Sequence, residues 1–114
     1  MNDCLFCKII SGEIDSDKVY EDQYVYAFRD INPQAPVHIL IIPKKHIESI
    51  HEVSDSDKPY MDAVISAIQQ IASDNGLDSD GYRIVTNHGT RAGQSVFHLH
   101  FHLLGGRDLQ WPPG

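Results

Sequence analysis

The alternation in His98-Leu-His-Phe-His-Leu-Leu104 constrains this chain more than any other feature. In a strand successive side chains point to opposite faces, so Leu99, Phe101 and Leu103 are assigned to a core and His98, His100 and His102 to the other side. At about 3.3 Å per residue the outer two histidines stand roughly 13 Å apart, too far for one metal ion with bonds of about 2 Å to take all three. The three rings therefore divide their work. A merely solvated face would accept any polar residue, so three imidazoles in five positions point to chemistry.

The remaining elements can be placed around that strand. Leu5 to Ser11 reads as a short helical turn stopped by Gly12, and Val19 to Arg29 as a hairpin turning near Asp22-Gln23, with Tyr24, Tyr26 and Phe28 on one face. Asp30 to Pro36 carries two prolines and is a loop; Val37 to Ile42 is a strand ended by Pro43. Between Ser54 and Gly76 lies one long helix, with Pro59 in its first turns and Met61, Val64, Ile65, Ile68, Ile71 and Ala72 at helical spacing. Tyr82 to Asn87 is a strand, Gly89 to Gly93 a loop, and Ser95 to Leu104 the histidine strand, stopped by Gly105-Gly106. This order predicts an α+β fold: an antiparallel five-stranded sheet with one main helix and a short N-terminal helix, the helices on one face.

Size and charge exclude several classes. With 114 residues the chain is expected to form one domain over 1–114. Its longest apolar stretch, Ile39 to Ile42, is far short of the about 20 residues of a membrane span, and MNDCLFCKII lacks a secretory leader, which predicts a cytoplasmic protein without membrane contact. Sixteen acidic against nine basic residues give a net charge of −7 with no basic stripe, so polymeric nucleic acid is not an expected partner.

Four further features carry candidate chemistry. His38 directly follows the proline loop, and is either a hydrogen-bonded structural histidine or a partner of the triad if its strand lies alongside. Asn87 to Ser95 is either a glycine-bounded cradle for an anion or an ordinary connection. Cys4-x-x-Cys7 is a redox pair, two buried small residues, or half of a zinc site completed by two histidines. His46, His51 and His88 are unremarkable by spacing alone. No phosphate-binding glycine loop, serine elbow or acidic Mg²⁺ cluster is present, so phosphate chemistry here would need histidine as nucleophile.

Gln94-Ser-Val-Phe-His-Leu-His-Phe-His-Leu-Leu-Gly-Gly-Arg107 and Asp30-Ile-Asn-Pro-Gln-Ala-Pro-Val-His-Ile-Leu-Ile-Ile-Pro-Lys-Lys-His46 resemble the two signature blocks of the histidine triad (HIT) superfamily. Gly105-Gly-Arg and the tail Trp111-Pro-Pro-Gly114 are similar to the Hint branch, purine nucleoside phosphoramidases whose dimers share a sheet, while the cysteine pair resembles bacterial relatives. The resemblance implies a two-step displacement through a nucleotidyl intermediate on His100. It places His102 as proton donor and His38 as the residue orienting the ring of His100. Substrate contacts are implied for Asp30 on the ribose, for Asn87 and Ser95 on the phosphate or leaving group, for Gly93, Gln94 and Val96 beside them, and for Phe6, Ile9, Phe28 and Ile31 on the base. Trp111, reaching into a partner's site, is implied for the leaving group. Cys4, Cys7, His46 and His98 would hold a structural zinc. A homodimer is expected, formed through the long helix and the Tyr82 to Asn87 strand, with a purine nucleotide such as an AMP or GMP derivative as substrate. Two alternatives remain at this level: a dinucleoside polyphosphate hydrolase, and a nucleotide-binding module with vestigial catalysis.

Overall fold

A computed structural model describes residues 3–114. Strands β1 (Lys18–Glu21), β2 (Val25–Arg29), β3 (Val37–Pro43), β4 (Tyr82–Val85) and β5 (Phe101–Gly105) form one sheet in the order β1-β2-β3-β5-β4, every neighbouring pair antiparallel. Helices α1 (Leu5–Ser11), α2 (Lys58–Asp74) and α3 (Leu77–Asp80) complete the α+β fold. β3 and β5 are central, and their register sets Leu40 opposite His102 and His38 opposite Leu104.

Period-two alternation decides which side chains meet which helix. Val25, Ala27, Ile39, Ile41, Phe101 and Leu103 pack under Val64, Ala67, Ile68, Ile71 and Ala72 of α2. Tyr26, Phe28, Leu40 and Ile42 point the other way and are covered by Phe6 and Ile9 of α1. The sheet is thus sandwiched, and the expectation of helices on one face is corrected. Leu40, Ile42, Tyr26 and Phe28 form a second apolar face, which costs free energy in water unless something covers it. Because α1 is short it covers only part of that face, and the uncovered part becomes the site.

Several boundaries differ from the sequence reading. The long helix opens with a 3₁₀ turn, Asp55–Asp57, in which Asp57 and Ser54 form a capping box, and its Ile65 is exposed on the outer face. Gly76, at φ 72°, ends α2 as expected but leads straight into α3, whose Leu77 packs on β5. A Cβ at Gly105 would lie 2.7 Å from Leu77 Cδ1, so this glycine is there for close approach. Tyr24 precedes β2 and turns to the α2 side against Tyr60, because Asp22 Oδ1 accepts from the Tyr24 and Val25 N–H groups and holds the turn. The strands expected over 95–104 and 82–87 are cut to Phe101–Gly105 and Tyr82–Val85. Next to those ends, Leu99 N–H donates to Ile47 O and the Thr86 hydroxyl to His100 O, which replaces ladder bonding. Among the described residues no helix is long and apolar enough to cross a membrane.

Candidate active site

The cleft on the α1 side has a volume of about 400 Å³ and is lined by Leu5, Phe6, Ile9, Ile14, Asp15, Phe28, Asp30, Ile31, Leu40, Ser95, Val96, His100 and His102. Nine of the residues proposed from sequence are therefore brought together: Phe6, Ile9, Phe28, Asp30, Ile31, Ser95, Val96, His100 and His102. His38 stands directly behind His102. Asn87 and Gly93 lie in the adjoining loop, outside the lining. Gln94 is buried and spends its amide on that loop: its Oε1 accepts from Gly89 N–H at 2.8 Å and its Nε2 donates to Glu48 O at 2.7 Å. Trp111 is 81% exposed and lies with Arg83 of β4 beneath its ring face, 6.0 Å from the centroid, rather than in its own chain's cleft.

Hydrogen bonds fix the tautomer of each imidazole in the cleft, because a backbone N–H only donates and a carbonyl only accepts. Gln34 N–H donates to His38 Nδ1 at 3.0 Å, so the proton of neutral His38 sits on Nε2. That Nε2–H donates to His102 Nδ1 at 2.9 Å, which leaves His102 with its own proton on Nε2, on the side of the cleft. His100 Nδ1–H donates to His98 O at 2.7 Å, leaving the Nε2 lone pair free of any proton. The rings of His100 and His102 are 5.2 Å apart. One cleft thus presents a nucleophilic nitrogen beside an N–H donor. The sequence expectation that His38 orients His100 is corrected here: His38 orients His102, and the backbone carbonyl of His98 orients His100.

Electrostatics keeps these rings neutral. Burial lowers the pKa of His102 to about 4, with His100 and His38 adding repulsion against a second proton and Asp30 opposing them. Burial also lowers His100 and His38, again against the attraction of Asp30. Asp30 accepts Asn32 N–H on Oδ1 at 2.8 Å, capping the proline loop, while its Oδ2 lies 3.4 Å from His38 Nε2. It is a turn cap that also lines the cleft.

The second cluster lies at the other end of the triad segment. The ligand atoms of Cys4, Cys7, His46 and His98 all lie within 4.8 Å of one another. His98 Nδ1 is 3.2 Å from Cys4 Sγ and 3.5 Å from Cys7 Sγ, and His46 Nδ1 is 3.5 Å from Cys7 Sγ. Ligands on a tetrahedral ion with bonds of about 2.0–2.3 Å are separated by about 3.3–3.8 Å, so this donor set fits such an ion. His98 Nε2–H donates to Pro43 O at 2.9 Å, which turns Nδ1 toward the sulfurs in the way a second-shell partner orients a metal ligand. Burial lowers the pKa of His98 to about 4 and so favours the neutral, metal-binding form.

Sequence reasoning missed the supports behind the site. Gln34 acts through its backbone. The strut Ile47-Glu-Ser49 holds three points of the segment 88–99: Ile47 O takes Leu99 N–H, Glu48 O takes Gln94 Nε2, and Ser49 Oγ pairs with His88 Nδ1 at 2.8 Å. Backbone carbonyls leave no signal in a sequence, and Ser49 and His88 lie outside both signature blocks.

A model of the HIT domain matches residues 11–109. The chain belongs to the HIT family. It is 50% identical over 112 residues to an uncharacterized HIT-like protein of Synechococcus elongatus, covering 98% of this chain and 97% of that one. Among solved structures, a HIT family hydrolase from Legionella pneumophila Philadelphia 1 has a TM-score of 0.95 and 51% identity, covering 98% of this chain and all of the other. A histidine triad nucleotide-binding protein from Candida albicans has a TM-score of 0.82 and 37% identity, covering 96% of this chain and 82% of that one. In this HIT protein the triad is split by position: His98 faces the cysteines, while His100 and His102 face the cleft.

Proposed function

We propose that this hydrolase-like HIT protein cleaves the P–N bond of purine nucleoside 5′-phosphoramidates, and adenylates more slowly, through a nucleotidyl intermediate on His100. The observation that carries the reading is the pair of complementary tautomers in one cleft, a bare Nε2 on His100 beside an Nε2–H on His102. A neutral imidazole is a competent nucleophile near pH 7, and its phosphorus adduct is labile. His100 Nε2 attacks the α-phosphorus and the bond to the departing nitrogen breaks. His102 gives its Nε2 proton to that nitrogen, which leaves as an amine, and the ring regains a proton from solvent. Water then attacks phosphorus, the bond to His100 breaks, and the proton released returns to solvent, leaving nucleotide and unchanged enzyme. His100 Nδ1–H stays on the His98 carbonyl throughout and steadies the charge on the ring.

The cleft walls suit a nucleoside. Phe6, Ile9, Phe28 and Ile31 offer apolar surface, with Ile31 fully exposed at the mouth, which fits a purine and supplies little to separate adenine from guanine. Asp30 has acceptor capacity left for ribose hydroxyls. Ser95 and Val96 line the phosphate end, with Asn87, Gly93 and Gln94 in the loop behind them. Zinc on Cys4, Cys7, His46 and His98 would have all four positions closed, so the ion's chemistry is a structural clamp between α1 and the sheet. We also read the protein as a homodimer. β4 is an edge strand of the sheet, and Tyr82 on it and Ile65 on α2 are exposed apolar side chains; continuing the sheet across a two-fold axis would cover this edge and bring the partner's tail toward the cleft.

Turnover of adenosine 5′-phosphoramidate and of a diadenosine polyphosphate, measured side by side on the purified protein, tests the reading. Faster cleavage of the phosphoramidate is expected; preference for the polyphosphate contradicts it, as does binding of both without turnover.

A further inference from the structure

A second cavity opens beside the cleft. It has a volume of about 590 Å³ and shares Leu5, Ser95 and Val96 with the cleft, so the two are continuous at the phosphate end. The far end of the cleft, at Asp30 and Ile31, is the nucleoside end in the reading above. A substituent on the phosphorus opposite the nucleoside is therefore directed past Ser95 into this second cavity. Cys4 and His46 of the metal-binding cluster form one edge of it, and the rest of its lining combines two kinds of surface. Leu5 and Phe97 are exposed apolar side chains there, 44% and 46% accessible. Asp3 and Glu48 add two carboxylates, neither of them in an ion pair among the described residues. Large apolar side chains left in water beside unpaired acids match a ligand with a hydrocarbon stem and a distal positive charge.

We propose that this groove is the leaving-group subsite, and that it selects phosphoramidates of alkyl amines bearing a second, protonated amine. The proposal rests on the phosphoramidase reading and names the class of amine that leaves. The stem lies on Leu5 and Phe97, and the distal ammonium lies near Glu48 and Asp3. A distal carboxylate is rejected by the same two groups. Glu48 lines the groove and accepts from Gln94 through its backbone carbonyl, so its side chain can be changed without removing that hydrogen bond.

The test uses binding rather than turnover, so it does not depend on the reaction. AMP and three of its esters are titrated calorimetrically into the purified full chain: 5-aminopentyl, pentyl and 4-carboxybutyl, whose alcohols are poor leaving groups. The aminopentyl ester is expected to bind about tenfold tighter than the pentyl ester, with the carboxybutyl ester weakest. The preference should shrink as salt is raised from low ionic strength. In Glu48→Lys the order of the two charged esters reverses. Equal binding of the three esters, or a preference in wild type that salt leaves unchanged, overturns the subsite while leaving the nucleotide site standing. Failure of AMP and all three esters to bind overturns both.

Discussion

Replacing His38 is the most informative perturbation of the relay. In His38→Ala the Nε2–H that occupies His102 Nδ1 disappears. His102 then has a part-buried nitrogen without its partner, a loss of about 1–3 kcal/mol in stability, or roughly 5–15 °C in Tm for a chain of this size. The ring is also free to place its proton on Nδ1, which removes the donor from the cleft side; loss of a general acid costs about 10²–10⁴ in rate. The loss should depend on the leaving group. An alkyl amine is strongly basic and needs the proton as it departs, whereas an arylamine needs it less. Steady-state kcat/KM on matched alkyl and aryl phosphoramidates should therefore fall about 10²-fold or more for the first and about tenfold or less for the second. His38→Gln, whose side-chain N–H can reach the place of Nε2, should restore much of the alkyl rate. Equal losses on both substrates, or no difference between the Ala and Gln variants, would refute the tautomer argument.

Other outcomes follow from the same geometry. His102 should titrate by NMR near pH 4 in the free protein, against about 6.5 for an unfolded chain. Since the folded chain then binds fewer protons than the unfolded one between these values, this group's stabilising contribution is present above the window and lost as pH falls through it; a midpoint at or above 6.5 contradicts the burial argument. Metal analysis should find about one zinc per chain, with His46→Ala lowering both occupancy and Tm; chelation that abolishes turnover in a chain that remains folded contradicts a structural role. Deleting Gln110 to Gly114 should alter selectivity among leaving groups without changing the dimer mass by sedimentation, whereas unchanged kinetics would remove Trp111 from the site.

The sequence made the triad strand legible because its pattern has only one reading as a strand: Leu99, Phe101 and Leu103 do enter the core, and His100 and His102 face the cleft. The Cys4-Cys7 pair was legible as a ligand pair because free histidines were in surplus, although spacing alone left three readings open. Roles within the site were harder to read. Which imidazole His38 serves depends on strand register, and His38 sits diagonal to His102 rather than near His100. The nucleophile's orientation depends on a carbonyl, that of His98, and carbonyls are the same in every residue. Tyr24 leaves the face of Tyr26 and Phe28 because the two-residue alternation stops at the end of the strand, in a turn governed by Asp22. Ile65 shares the apolar spacing of the long helix yet is exposed, because helical spacing cannot separate a face that meets the sheet from one left to solvent.

The central claim is that His100 carries the nucleotidyl group. It is tested most directly by mixing the protein with adenosine 5′-phosphoramidate, quenching rapidly into denaturant and measuring the intact mass, followed by peptide mapping. A transient adduct of one adenylyl group on His100 is predicted, absent from His100→Ala, whose turnover should fall by several orders of magnitude. Turnover without any adduct, an adduct on another residue, or a near-normal rate in His100→Ala would contradict the account.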